Sequence, residues 1–175
     1  GPFVVIAAGN GWEGKRWIAK RWSELLRAVA DDFVKRGIQD VVWIGAPGEE
    51  DQVAELCIEA SSIAQLRSHN LAGLTTVGGT MAVIQNASLV IALDSAPAHL
   101  AVGFGIPLVA LYGASQPSID GPYQSQMWCA HGGRGEELGR HDHRDPQKGR
   151  EMMARITTEE VVALVRKRIH CGGAS

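Results

Sequence analysis

Cysteine is scarce in this chain of 175 residues: it has three, an odd number, set far apart and with no Cys-x-x-Cys pair. That excludes a disulfide framework and fits a reducing compartment. A surplus of one charge is lacking too. The chain has 17 Lys and Arg against 19 Asp and Glu, well mixed and net −2, so electrostatic binding to nucleic acid or to an anionic membrane is not its organising theme. No apolar run approaches the length of a membrane span, no signal peptide is visible, and the expectation is a cytoplasmic protein. Internal repeats are missing. So are two phosphate-binding fingerprints: the first loop has neither the Gly-Lys-Ser/Thr of a P-loop nor Gly-x-Gly-x-x-Gly.

What is present is alternation. Phe3–Ala8 is a continuous apolar strand running into Gly9-Asn10-Gly11. A helix follows over roughly Ile18–Arg36, with Ile18, Trp22, Leu25, Leu26, Val29 and Phe33 on one face. Val41–Ile44 is the second strand, and Gly45-Ala46-Pro47-Gly48 turns into a helix opening on Glu49, Glu50 and Asp51, which suits the helix dipole. Val53, Leu56, Cys57, Ala60 and Ala64 form its buried face, making Cys57 a core thiol rather than a nucleophile. Asn70–Gly73 reads as a short extended segment, and Val77–Ala87 as a helix with Val77, Met81 and Ile84 facing in. Strand Leu89–Leu93, helix Pro97–Phe104 and strand Pro107–Tyr112 follow. The length predicts one domain over 1–175, and the alternation predicts an α/β fold with a doubly wound parallel sheet, Rossmann-like.

The chain is organised around Leu89–Leu100, LVIALDSAPAHL. Strand, tight turn and helix succeed one another there, which puts Asp94, Ser95 and His99 at the carboxyl end of a strand, where open α/β sheets bind ligands. The side-chain oxygen of Asp94 or Ser95 is expected to cap the helix beside Pro97, and the N–H groups of Ser95–Ala98 to face an anion. Such a turn serves as a plain helix cap as readily as it serves a ligand, and the turn alone does not separate the two.

From Gln116 to Arg155 order fades into a long irregular loop with one helical turn at most, holding His131, His141, Asp142, His143 and Asp145. Neighbours such as His141, Asp142 and His143 do not easily converge on one ion, so a solvated loop outweighs a metal site. A closing helix over about Thr158–Ile169 begins with a capping box, Thr157 and Glu160. Trp22 and Trp43 belong to the core, while Trp12 sits on the first loop.

Polar groups collect at one sheet edge: Asn10 and Lys15, then Glu49 and Glu50, then Thr75, Thr76, Asp94, Ser95, His99 and Ser115. A lysine on a glycine-rich loop suits a diphosphate, and a carboxylate after a neighbouring strand suits ribose hydroxyls. Lys15-Arg16-Trp17 before a helix, Gly45-Ala46-Pro47 followed by acids, Asn70-Leu71-Ala72-Gly73-Leu74-Thr75, Asp94-Ser95-Ala96-Pro97-Ala98-His99-Leu100-Ala101, Gly105-Ile106-Pro107 and Leu111-Tyr112-Gly113 come in that order. In that order and spacing the chain resembles glycosyltransferase family 9, the bacterial ADP-heptose:lipopolysaccharide heptosyltransferases.

The resemblance implies the carboxyl-terminal, donor-binding half of a two-domain GT-B enzyme that transfers heptose with inversion and without a metal ion. It places Lys15 on the donor phosphates, Glu49 (or Glu50) on the ribose and Thr75 beside the adenine. Asp94, Ser95, Ala96 and His99 fall on the diphosphate and sugar. The catalytic base is expected in an amino-terminal domain that this chain does not contain, which leaves no catalytic residue here and makes the isolated chain inactive. The abrupt opening on a strand agrees with an excised domain. The implied partners are the nucleotide-sugar, here an ADP-sugar acting as substrate, and the amino-terminal acceptor-binding domain, with peripheral membrane association of the whole enzyme. Three features depart from the family pattern: Ala96 replaces its usual glycine, the first loop lacks its Pro-Gly, and Met152-Met153 stands where a Cys-Met pair is usual. A non-catalytic nucleotide-binding module is the alternative.

Overall fold

The computed structural model describes residues 1–135, 138 and 145–171. Six parallel strands form one sheet: β1 (Phe3–Ala7), β2 (Asp40–Ile44), β3 (Arg67–Asn70), β4 (Leu89–Leu93), β5 (Leu108–Tyr112) and β6 (Cys129–His131). Their order is β3-β2-β1-β4-β5-β6, so the winding reverses between β1 and β4. The helices are α1 (Ala19–Val34), α2 (Glu50–Ala60), α3 (Val77–Gln85), α4 (Ala96–Gly103), α5 (Pro117–Asp120), α6 (Pro146–Arg155) and α7 (Thr158–Cys171), with a 3-10 turn at Glu13–Lys15. The doubly wound α/β fold is the one the alternation predicts.

Successive side chains of a strand point to opposite faces, and here both faces are covered. Val4, Ile6, Leu89, Ile91 and Leu93 pack beneath Leu25, Leu26 and Phe33 of α1, Val53 and Leu56 of α2, and Val161 and Val165 of α7. Val5, Ala7, Val90 and Ala92 pack against Ile84 of α3 and Ala98 and Ala101 of α4. Each fully buried large aliphatic contributes about 1.5–3 kcal/mol, so the central strands are the most firmly held part of the molecule. Trp22 and Trp43 are fully buried, as expected, and stack edge-on with Trp17 in a row, 5.1 Å and 6.3 Å between ring centroids.

Several sequence expectations are corrected. Residues 116–155 are not one irregular loop: α5, β6 and α6 lie inside it. Helix α6 is capped by Asp145, whose carboxylate accepts from the N–H groups of Gln147 and Lys148, with Pro146 in the first turn. Strand β3 begins at Arg67 rather than Asn70; it is a polar edge strand and so carries no apolar signal. Ala64 is exposed, because α2 stops at Ala60, where the Ser61 hydroxyl donates to Cys57 O and competes with the helix. Val77 is 79% exposed, and only Ile84 of α3 is fully buried. Half of the expected capping box forms: Thr157 accepts from Glu160 N at 3.2 Å, while the Glu160 carboxylate meets Arg134 at 3.3 Å.

Candidate functional site

The carboxyl ends of β1, β2 and β4 open into a pocket of about 460 Å3 at the point where the winding reverses. That is where open α/β sheets bind ligands, and the volume lies in the range that takes a whole small-molecule ligand. Lys15, Glu49, Thr75, Asp94, Ser95 and Ala96 line it together, although they come from four different turns. His99 does not: it lies one turn along α4, exposed and off the pocket wall.

At the centre is an ion pair. Lys15 Nζ stands 2.6 Å from Asp94 Oδ2, with both side chains largely shielded from water. The Ser115 hydroxyl donates to the same oxygen at 2.7 Å, so one carboxylate oxygen joins the turns after β1, β4 and β5. Below it, the Tyr112 hydroxyl is buried near Asp94 and makes no hydrogen bond among the described residues. Burial and then the Asp94 charge push its pKa far up, so it stays a neutral phenol.

The loop after β1 is fixed by Asn10, a residue the sequence reading set on this edge without giving it a role. Asn10 is buried; its Oδ1 accepts from Trp12 N at 2.9 Å, and its Nδ2 donates to Asp94 O at 3.3 Å. Arg16 closes the loop by donating to Asn10 O at 2.7 Å. The signal for this was the Gly9-Asn10-Gly11 loop itself, since asparagine makes such local turns readily. Lys15 is also held from outside. Gly14 lies flat against α6, where a side chain on Gly149 would collide with the Gly14 backbone.

Between the two acids after β2, only Glu49 reaches the pocket. Its Oε2 accepts from Ala46 N at 2.9 Å, and the carboxylate lies against Gly9, where a side chain would push it aside. Glu50 turns away, accepting from Gly48 N at 2.7 Å and packing against Gly73. The Thr75 hydroxyl pairs with that of Thr80 at 2.7 Å, beside the apolar wall of Val77, Leu100 and Ile44. Trp12 completes the rim, 56% exposed.

The start of α4 departs from expectation in two ways. Neither Asp94 nor Ser95 caps it through a side chain; the Ser95 hydroxyl donates back to Leu93 O at 3.0 Å. Four outward N–H groups are not available either. Pro97 has none, and Ala98 N donates to Ser95 O at 3.1 Å, which leaves the amides of Ser95 and Ala96. Ala96 itself is unstrained: among the described residues the one non-glycine with positive φ is Gln124.

Among the described residues no three His, Cys, Asp or Glu converge as a metal site, and no helix is long and apolar enough to cross a membrane. His141, Asp142 and His143 lie outside the described residues. Cys57 and Cys129 are buried free thiols; burial first, and the Asp94 charge second, push Cys129 up to about 12.

Residues 1–147 match glycosyltransferase family 9 (heptosyltransferase). Lipopolysaccharide heptosyltransferase 3 of Escherichia coli is 31% identical over 158 residues, which covers 87% of this chain and 44% of that protein. Across these curated relatives, the chain spans from about a third to just under half of their length. E. coli ADP-heptose lps heptosyltransferase II superposes with a TM-score of 0.76 at 24% identity, over 99% of this chain and 48% of that one. The iron-containing dodecameric glycosyltransferase TibC of E. coli superposes at 0.64 and 18% identity, over 99% and 46%. These superpositions speak for the fold. The match over 1–147 makes the assignment: the chain belongs to glycosyltransferase family 9, the heptosyltransferases.

Proposed function

We propose that this chain is the donor-binding half of an inverting heptosyltransferase and that its pocket takes an ADP-sugar, ADP-heptose or a close relative. The observation that carries the reading is the Lys15–Asp94 pair on the wall of a nucleotide-sized pocket at the sheet's reversal point. In this reading Lys15 and the amides of Ser95 and Ala96 face the diphosphate, Glu49 takes ribose hydroxyls, and the adenine lies along Thr75, Val77 and Leu100. Asp94 orients Lys15. His99, off the pocket wall, contacts no part of the nucleotide. Charge developing on the departing ADP is met by groups already in place, as in other preorganised sites.

Because a lysine and two main-chain amides supply the positive field, the donor needs no metal ion, and chelator-treated protein should bind ADP unchanged. The base that activates the acceptor is a carboxylate in an amino-terminal domain outside this chain, so the chain alone binds donor and transfers nothing. The whole enzyme works in the cytoplasm, at the inner face of the membrane that carries its acceptor. Calorimetry with ADP, ADP-heptose and UDP-sugars is the test. Adenine-selective binding is expected; a preference for uridine donors would refute the heptose assignment. No binding to any of them would leave a family member that serves as a non-catalytic module.

A further inference from the structure

A second cavity, of about 240 Å3, opens at the same end of the sheet between the segments after β5 and β6. It shares no wall residue with the first pocket, yet it begins one residue beyond Ser115, at Gln116. Its polar lining is Gln116, Ser118, Gln126, His131 and Arg134, with no carboxylate among them. The side chains of Gln116, Ser118 and Gln126 make no hydrogen bond within the described residues. Arg134 spends one N–H on Glu160 at 3.3 Å and keeps the rest of its fork.

Most telling is His131. Its Nε2 is buried and makes no hydrogen bond among the described residues, although the backbone of Gly113 and Ser115 lies beside the ring, and native proteins usually complete such a nitrogen with a ligand or water. Gly133 packs closely beside that nitrogen, since a Cβ there would lie 3.0 Å from it, 2.9 Å from Leu138 Cδ1 and 2.8 Å from Gly113 O. The cavity is smaller than the ~300–1,000 Å3 of sites that enclose a whole ligand, so it suits one substituted ring. Two carboxamides and a hydroxyl recognise hydroxyl groups, while a guanidinium fork beside donors, with no acid among the described lining residues, selects an oxyanion.

We propose that this cavity is a second binding site, for the carboxylate or phosphate of an anionic sugar, with Arg134 on the charge and Gln116, Gln126 and His131 on the oxygens around it. The site is independent of the nucleotide reading.

The test is a titration of histidine-labelled protein at fixed ionic strength with glucuronate, glucose 6-phosphate, glucose and inorganic phosphate, following the imidazole nitrogens by NMR. His131→Gln assigns the resonance. A saturable shift of His131 by either charged sugar is expected, with no response to glucose. Arg134→Gln should weaken that binding about tenfold, the worth of one charge-assisted contact, and leave ADP affinity in the first pocket unchanged. Gln126→Ala, at an exposed position, should weaken it less. Which charged sugar saturates identifies carboxylate or phosphate as the natural group. Equal response to glucose, equal affinity for inorganic phosphate alone, or shifts untouched by Arg134→Gln would each overturn the proposal.

Discussion

The turns after β1, β2 and β4 and the segment after β5 meet at one end of the sheet, but they are held by different means. Each of the three turns has a brace two or three residues long, Asn10 to Trp12, Glu49 to Ala46 and Ser95 to Leu93, and the first and third are also tied to each other through Asp94. The later segment is braced across the whole chain. Gly149 abuts Gly14, Met153 abuts Gly113, and the Trp17 ring donates to Ile156 O at 2.9 Å. The chemistry therefore sits in locally specified turns, while the placement of the Lys15 turn depends on a buttress more than a hundred residues away. Four changes test that division.

Lys15→Ala should have the largest effect. If the lysine sees phosphate, ADP loses a charge-assisted contact of about 2–3 kcal/mol, or roughly 30–150-fold, and Asp94 is left facing the diphosphate unpaired. Adenosine affinity should hardly move. Calorimetry with the two ligands decides it, and equal losses would show that Lys15 does not touch phosphate.

Gly149→Ala tests the buttress. The new Cβ would lie 2.5 Å from Gly14 O and 2.8 Å from its Cα, both backbone, so α6 or the Lys15 turn must shift. Overpacking of this kind costs about 1–3 kcal/mol in urea unfolding, and ADP binding should weaken with it although Gly149 touches neither pocket. Gly103→Ala is the control. It meets nothing within 4 Å at the end of α4 and should leave both measurements unchanged or slightly improved. Indifference of ADP binding to Gly149→Ala would make α6 a bystander.

The same division explains what was legible beforehand. Strand β4 agrees with its expected bounds to the residue, and β1, β2 and β5 to within one, because continuous apolar runs bounded by glycine or polar turns have few other readings. Lys15, Glu49, Thr75 and Asp94 were placed on one rim because a parallel sheet sends every βα turn to the same end. Helix α6 was missed although Asp145-Pro146 is a helix start. Its interior glycine lowers helix propensity, and its buried face is only Gly149, Met152 and Met153. Strand β6, three residues long, has too few positions to show a period. Motif resemblance draws His99 to the site, whereas in the structure it lies exposed one turn along α4, off the pocket wall. That Asn10 would bind Asp94 depends on residues 84 apart in sequence, which no local pattern records.

Ser115→Ala comes next in size. Its hydroxyl bonds the carboxylate oxygen that also holds Lys15, so removing it costs about 1 kcal/mol, a few-fold in ADP affinity. Binding at the second cavity should not change, since Gln116 and not Ser115 lines it. Parallel loss at both sites would mean that the two regions move as one unit, against the division drawn here.

The smallest effect is a pH dependence confined to the later segment. Burial, and then the Arg134 charge, lower the pKa of His131 from its ordinary 6.5, while the backbone of Ser115 and Gly113 partly offsets them. In the unfolded chain the ring titrates normally. Well above pH 6.5 both states hold it neutral, and it contributes nothing to the slope. As pH falls below that value the unfolded chain takes up a proton first and stability declines, until the folded-state pKa is also passed. Denaturant titrations from pH 7.5 downward should therefore show wild type losing more stability than His131→Gln, with ADP affinity in the first pocket indifferent to the substitution. A wild-type curve parallel to the variant's would mean that the ring is solvated and that the cavity around it is open to water.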